Sequence, residues 1–213
     1  MPEFLRGRFV VHLRIAYHGA VADGEELVEP LRKITLTLAD TVRDMPFAEA
    51  GTIHNDPVEP FALRERTTYL RDVDEDAIDT LVSLAGPDSS CPLQMVELRH
   101  LGGALGRPSE VPNAVGNRDA EFLLYLAGAA TLGESAMIDE CADAVMDAMA
   151  PWSTGGVCMN FLGVRDAAPE RVRAAYSEAD YRRLVAVKRA YDPENLFRIN
   201  HNIPPEAEMF SLR

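Results

Sequence analysis

The chain has 213 residues, 47% hydrophobic and 26% charged, which is long enough to bury a core without covalent staples. A formal net charge of −13 disfavours nucleic acid or an anionic membrane as partner, because both are bound through positive charge. Cys91, Cys141 and Cys158 are odd in number and widely spaced, with no Cys-x-x-Cys, a pattern that points to reduced thiols in a cytoplasm and away from zinc.

The opening Met1-Pro2-Glu3-Phe4-Leu5-Arg6-Gly7 lacks the apolar stretch of a signal peptide, and no apolar run approaches membrane-spanning length. Residues 9–17 alternate, with Val11, Leu13, Ile15 and Tyr17 on one face, and predict a strand. Asp23 with Glu26 reads as a capping box for a helix through Leu27, Leu31, Ile34 and Leu38. Pro30 lies inside that pattern and should kink or split it. Residues 45–50 suggest a short helix, and His54-Asn55-Asp56 reads as a surface loop rather than a metal site.

Residues 61–70 predict a strand, and Asp74 caps a helix that Gly86-Pro87 ends. Residues 93–101 predict another strand. Gly102-Gly103-Ala104-Leu105-Gly106 follows it, but lacks both the Walker Lys-Ser/Thr and the dinucleotide spacing, so it predicts a bulge or a close backbone approach. Residues 121–130 fit a buried strand or a short helix, and the neighbouring strands favour strand. Residues 134–149 predict a helix with Met137, Cys141, Ala144, Val145 and Ala148 inward. A strand over 157–162, a short helix over 169–175 and a last helix capped by Ser177 complete the order. Without regular βαβ alternation the fold class is α+β, an antiparallel sheet with helices packed mainly on one face.

After the last helix comes Tyr191-Asp192-Pro193-Glu194-Asn195-Leu196-Phe197-Arg198-Ile199-Asn200-His201-Asn202-Ile203-Pro204-Pro205. Pro193 stops the helix, Asp-Pro-Glu-Asn forms a turn, and Pro204-Pro205 prevents a regular element from resuming. In an extended chain Asn200 and Asn202 would point the same way and offer donors and acceptors together. On residues alone, turn-capping asparagines in a tail are the alternative reading.

This run resembles the C-terminal segment of the berberine-bridge-enzyme-like (BBE-like) FAD-linked oxidases, Tyr-Asp-Pro-x-Asn-x-Phe-x-x-Asn-x-Asn-Ile-x-Pro, at every fixed position. Glu97–Ala104 resembles that family's strand ending in Gly-Gly-Ala. The segment Ala114-Val115-Gly116-Asn117-Arg118 resembles its His-Arg segment with Asn117 at the His place. Gly155-Gly156-Val157-Cys158-Met159-Asn160-Phe161 resembles its Gly-x-Tyr-x-Asn strand with Cys158 at the Tyr place.

The resemblance implies a substrate-binding domain over 1–190 and a BBE-like segment over 191–213. It implies FAD as cofactor, contacted by Asn160, Asn200 and Asn202, and a hydride passed from an alcohol, amine or sugar carbon. No Gly-Gly-His and no pyrophosphate-cradling glycine turn is present, so the flavin is expected on a separate FAD-binding domain or subunit. Cys158 is the candidate catalytic residue by position. A base role needs a cationic neighbour or a helix N-terminus, and a packed thiol is the alternative. Glu97, His100 and Tyr125 are further titratable candidates. The competing reading is a binding module without redox activity. Other implied partners are a small-molecule substrate and, through an exposed docking face, a second copy.

Overall fold

The computed structural model describes Leu5 and residues 7–54, 58–59, 61–130 and 133–205. The reading of the extreme N-terminus, of Asn55-Asp56 and of the last eight residues of the BBE-like segment falls outside them. Two compact units divide at Met1–Pro60 and Phe61–Arg213.

In the first unit, α1 runs over Val21–Arg32 and α2 over Gly51–His54, after a 3-10 turn at Phe47–Glu49. The strand expected over 9–17 is not formed. The alternation is there, but among the described residues of this unit no strand pairs with it, and Val11 and Leu13 are exposed. Asp23 does not cap α1: Ala20 stands at the N-cap without a side-chain bond, and Asp23 lies in the first turn. The helix stops two residues after Pro30, so Ile34 and Leu38 lie beyond it, both exposed.

The second unit holds the sheet. Strands β1 (Leu63–Leu70), β2 (Met95–His100) and β3 (Phe122–Ala129) lie in the order β1-β3-β2, both pairs antiparallel. The segment that fitted either helix or strand is thus the central strand, buried on both faces. Helix α3 (Glu75–Ala85) and α4 (Ser135–Ala148) pack on one face, where Leu70, Leu81, Leu124, Leu126, Val145 and Met149 form the main core. The fold is α+β, as expected. Asp74 caps α3 by accepting the Ala77 N–H at 2.9 Å. On α4 the buried residues are Ile138, Ala142 and Val145, with Met149 just after it; of the expected stripe Val145 is buried, while Met137 is exposed.

Cys91 and Cys141 are joined in a disulfide with Cα atoms 6.1 Å apart, which corrects the expectation of reduced thiols. Sequence spacing missed it because α4 carries Cys141 back to the loop before β2.

Short α5 (Pro169–Arg173) and long α6 (Glu178–Tyr191) follow, the second capped by Ser177 through the Asp180 N–H at 3.1 Å. The strand expected over 157–162 is replaced by a 3-10 turn at Met159–Phe161. Pairing occurs earlier: Tyr69 N–H donates to Gly156 and Thr154 N–H to Tyr69, so residues 153–156 line the free edge of β1. Among the described residues no helix is long and apolar enough to cross a membrane.

Candidate functional site

The face of the sheet away from α3 and α4 carries the polar chemistry. Register sets three rows across it: Tyr69, Leu123 and Arg99; Thr67, Tyr125 and Glu97; Glu65, Ala127 and Met95. Residues opposite in an antiparallel pair share a face, and diagonal neighbours are within reach of long side chains. Tyr125 reaches diagonally to donate its hydroxyl to Glu65 Oε2 at 2.9 Å. Its ring meets Phe161 edge to face, with centroids 5.4 Å apart. The Arg99 guanidinium lies 4.5 Å from the Phe161 centroid and 5.9 Å from that of Tyr125, and pairs with Glu97. Burial raises the Tyr125 phenol well above its ordinary value; the Glu65 hydrogen bond adds to this and Arg99 opposes it. Tyr125 is therefore a neutral donor at physiological pH.

Gly163 packs on this row. A Cβ there would stand 2.9 Å from Glu65 Cγ and 3.3 Å from its carbonyl oxygen, so the close approach requires glycine. Gly163 is held in turn by the fully buried Asp166, whose Oδ2 accepts its N–H at 3.1 Å.

One row along, Cys158 packs with Leu101 and Phe161 against Tyr69, Ala120 and Leu123. Its thiol neighbours the Tyr69 hydroxyl. Burial raises the Tyr69 phenol, the Cys158 thiol adds to the rise, and Arg118 opposes it. Asn117, in left-handed backbone, donates its side-chain amide to the carbonyls of Ala174 at 3.0 Å and Val157 at 3.4 Å. It ties three loops behind Cys158.

The tail after α6 is built on Asp192. Its Oδ1 accepts the Leu196 N–H at 2.7 Å, its Oδ2 accepts the Phe197 N–H at 3.0 Å, and it pairs with Lys188. Asn195 completes the turn with φ 53°. The tail then docks twice: Arg189 Nε donates to the Pro205 carbonyl at 3.1 Å, and His201 Nε2 donates to the Gly163 carbonyl at 3.2 Å.

Lys188 and the two backbone donors hold the Asp192 carboxyl below the usual carboxylate range. A depressed folded pKa means this contribution to stability is complete above the unfolded value of about 4 and is lost as pH falls through the folded one. The Leu196 and Phe197 amide NMR signals are therefore expected to shift together, with a midpoint below the ordinary Asp value. Asp192→Asn should abolish the step.

Residues 147–204 match the family model described as Berberine and berberine like. An FAD-linked oxidoreductase of Bacillus subtilis (strain 168), YgaK, itself uncharacterised, is 26% identical over 193 residues, covering 88% of this chain and 41% of the relative. The chain carries a BBE-like segment over residues 147–204. The (R)-6-hydroxynicotine oxidase of Paenarthrobacter nicotinovorans is 39% identical over 116 residues, covering 52% of this chain and 24% of that enzyme. A variant of Physcomitrella patens BBE-like 1 superposes with a TM-score of 0.69 at 14% identity, over 89% of this chain and 43% of the other. The chain thus spans less than half the length of each of these relatives.

The expected site residues are not gathered at one point. Asn160 and Asn200 are exposed. The extended geometry expected of the tail is absent: Asn200 has φ 69° and its carbonyl accepts the Asn202 N–H at 3.1 Å, so the two side chains do not share an environment. Asn202 buries its carboxamide oxygen, and no donor among the described residues meets it. Glu97 and Tyr125 join one cluster, while His100 lies on the opposite face, stacked on Phe122. Glu65, Arg99 and Tyr69 were missed. Only the register reveals them, although their alternation within β1 and β2 was a usable signal. Among the described residues no group of three or more His, Cys, Asp and Glu side chains is placed to hold a metal ion.

Proposed function

We propose that this chain is the substrate side of an FAD-dependent oxidoreductase, acting on an alcohol, amine or sugar carbon of a small molecule. The observation that carries this is the state of the tail. Leu196, Phe197 and Ile199 are exposed at 67%, 82% and 87%, beside the orphaned buried acceptor of Asn202. Apolar surface of this kind marks a docking face, and a buried acceptor without a donor fits a ring N–H supplied from outside.

Asn202 would then hold the polar edge of the flavin, with Asn200 and Asn160 as outer contacts. Bound FAD would accept the hydride and be reoxidised by oxygen. The chain's own residues bind and orient the substrate on the sheet face of Glu65, Tyr125 and Phe161. Cys158 lines that face, and its place among Tyr69, Ala120 and Leu123 supports a packing role. The division into a substrate domain over 1–190 and a flavin-facing segment over 191–213 follows from the same reading.

The partner is an FAD-binding domain or subunit, in the same polypeptide or another, and a second copy is the other candidate for the exposed face. Nucleic acid and membrane do not suit the net charge of −13. The Cys91–Cys141 disulfide supports an oxidising compartment over the cytoplasm expected from cysteine spacing.

Lumiflavin added to the isotope-labelled chain tests this directly. The Asn202 side-chain amide and the His201 and Ile203 backbone amides should shift, and Asn202→Ala should remove the effect. Absence of shifts along the tail at saturating lumiflavin sinks the reading.

A further inference from the structure

The sheet face also discriminates among substrate classes, an inference that rests on the reading above. We propose that Glu65, with the rings of Tyr125 and Phe161, anchors an organic ammonium, so that the substrate is an amine rather than a neutral alcohol or a carboxylate.

Pairing the charges of this face leaves Glu65 over. Glu65 and Glu97 are carboxylates, and Arg99 is the cation that pairs with Glu97. Arg118, near Tyr69, instead donates to the Leu105 carbonyl and Asn113 Oδ1. Among the described residues Glu65 has no ion pair, and its hydrogen bond comes from a neutral phenol. A half-buried carboxylate bonded to a buried phenol keeps most of its field, since little water screens it. The face also already holds one organic cation. The Arg99 guanidinium sits 4.5 Å from the Phe161 centroid with a carboxylate at its side. Ring face plus carboxylate is the recognition chemistry of an ammonium. A carboxylate ligand would instead meet two like charges and a guanidinium already committed to Glu97. An alcohol would forgo the charge term.

Three probes with a common ring separate these cases in the full chain at neutral pH: benzylammonium, benzyl alcohol and benzoate, followed by calorimetry and by NMR shifts on β1 and β3. Benzylammonium should bind about tenfold more tightly than benzyl alcohol, the usual difference between a charge-assisted and a neutral hydrogen bond. Benzoate should be weakest. Glu65→Gln should erase the preference for the cation. Arg99→Gln should strengthen benzylammonium binding, by removing the competing cation. Circular dichroism confirms that each variant folds.

Benzoate binding tightest and lost in Arg99→Gln would overturn the proposal and make Arg99 a carboxylate handle. Equal binding of the three, or none on this face, would overturn it as well. No flavin is needed, so a cation preference with a negative lumiflavin result would remove the redox reading alone. The converse result would remove only the amine.

Discussion

Replacing Asp166 by Ala is expected to destabilise the fold by about 3 kcal/mol, the lower end of the range for breaking a buried ion pair, because its partners reach water. Asp166 is fully buried and sits where three elements meet. Arg171 Nε donates to Oδ1 at 3.0 Å, and the same side chain reaches the Thr67 carbonyl of β1 at 3.3 Å through Nη2. Arg66 of β1 stands 3.6 Å away and also faces Asp143 of α4. Removing the carboxylate strands the Gly163 N–H and leaves two guanidinium groups short of an anion. At about 2–4 °C per kcal/mol for a chain this size, the thermal midpoint should fall by roughly ten degrees. Asp166→Asn keeps an acceptor but not the charge and should lose less. Urea unfolding of both variants measures the order, and an Ala variant as stable as the parent would contradict it. Because Gly163 carries both the Glu65 contact and the His201 bond, the Ala variant should also disturb the substrate face and the tail docking.

How far the sequence was legible depended on whether a feature is local. Caps depend on neighbours in the chain, so Asp74 and Ser177 were found, and so was the end of α6 before Pro193. The tail motif was legible as a resemblance, and its turn through Asp192 follows from the proline. What failed was non-local. Residues 9–17 alternate like a strand, yet a strand needs a partner, and pairing cannot be read from one segment. Residues 157–162 lost their strand to a 3-10 turn, while the preceding residues took the β1 edge. On α4 Val145 was read inward and is, but Met137 also fits the helical period, and packing buried Ile138 and Ala142 instead. The site was legible in parts for the same reason. Glu97 and Tyr125 were nominated singly, but their meeting with Glu65, Arg99 and Phe161 needs the register of β1 and β2 on β3. The Asn200 and Asn202 argument assumed extended backbone, and the left-handed Asn200 broke it.

Opening the Cys91–Cys141 disulfide should cost about 4 kcal/mol if it acts by restricting the unfolded chain, the value for a closed loop of some fifty residues. The two cysteines are 50 residues apart, and the loop they close contains both β2 and β3. Their pairing joins residues distant in the chain, so the cross-link restricts the unfolded ensemble in which they must meet. Cys91→Ser with Cys141→Ser, or reduction of the parent, should lower the urea midpoint by the same amount. A smaller effect in the double variant than in the reduced parent would implicate repacking around the serines. Thiol labelling gives an independent check: the unfolded native chain should expose one reactive thiol, that of Cys158, and three after reduction. Three thiols without reductant would show the pair unbonded in solution. The stability of the sheet, and with it the face that carries Glu65 and Tyr125, would then rest on packing and hydrogen bonding without a covalent cross-link.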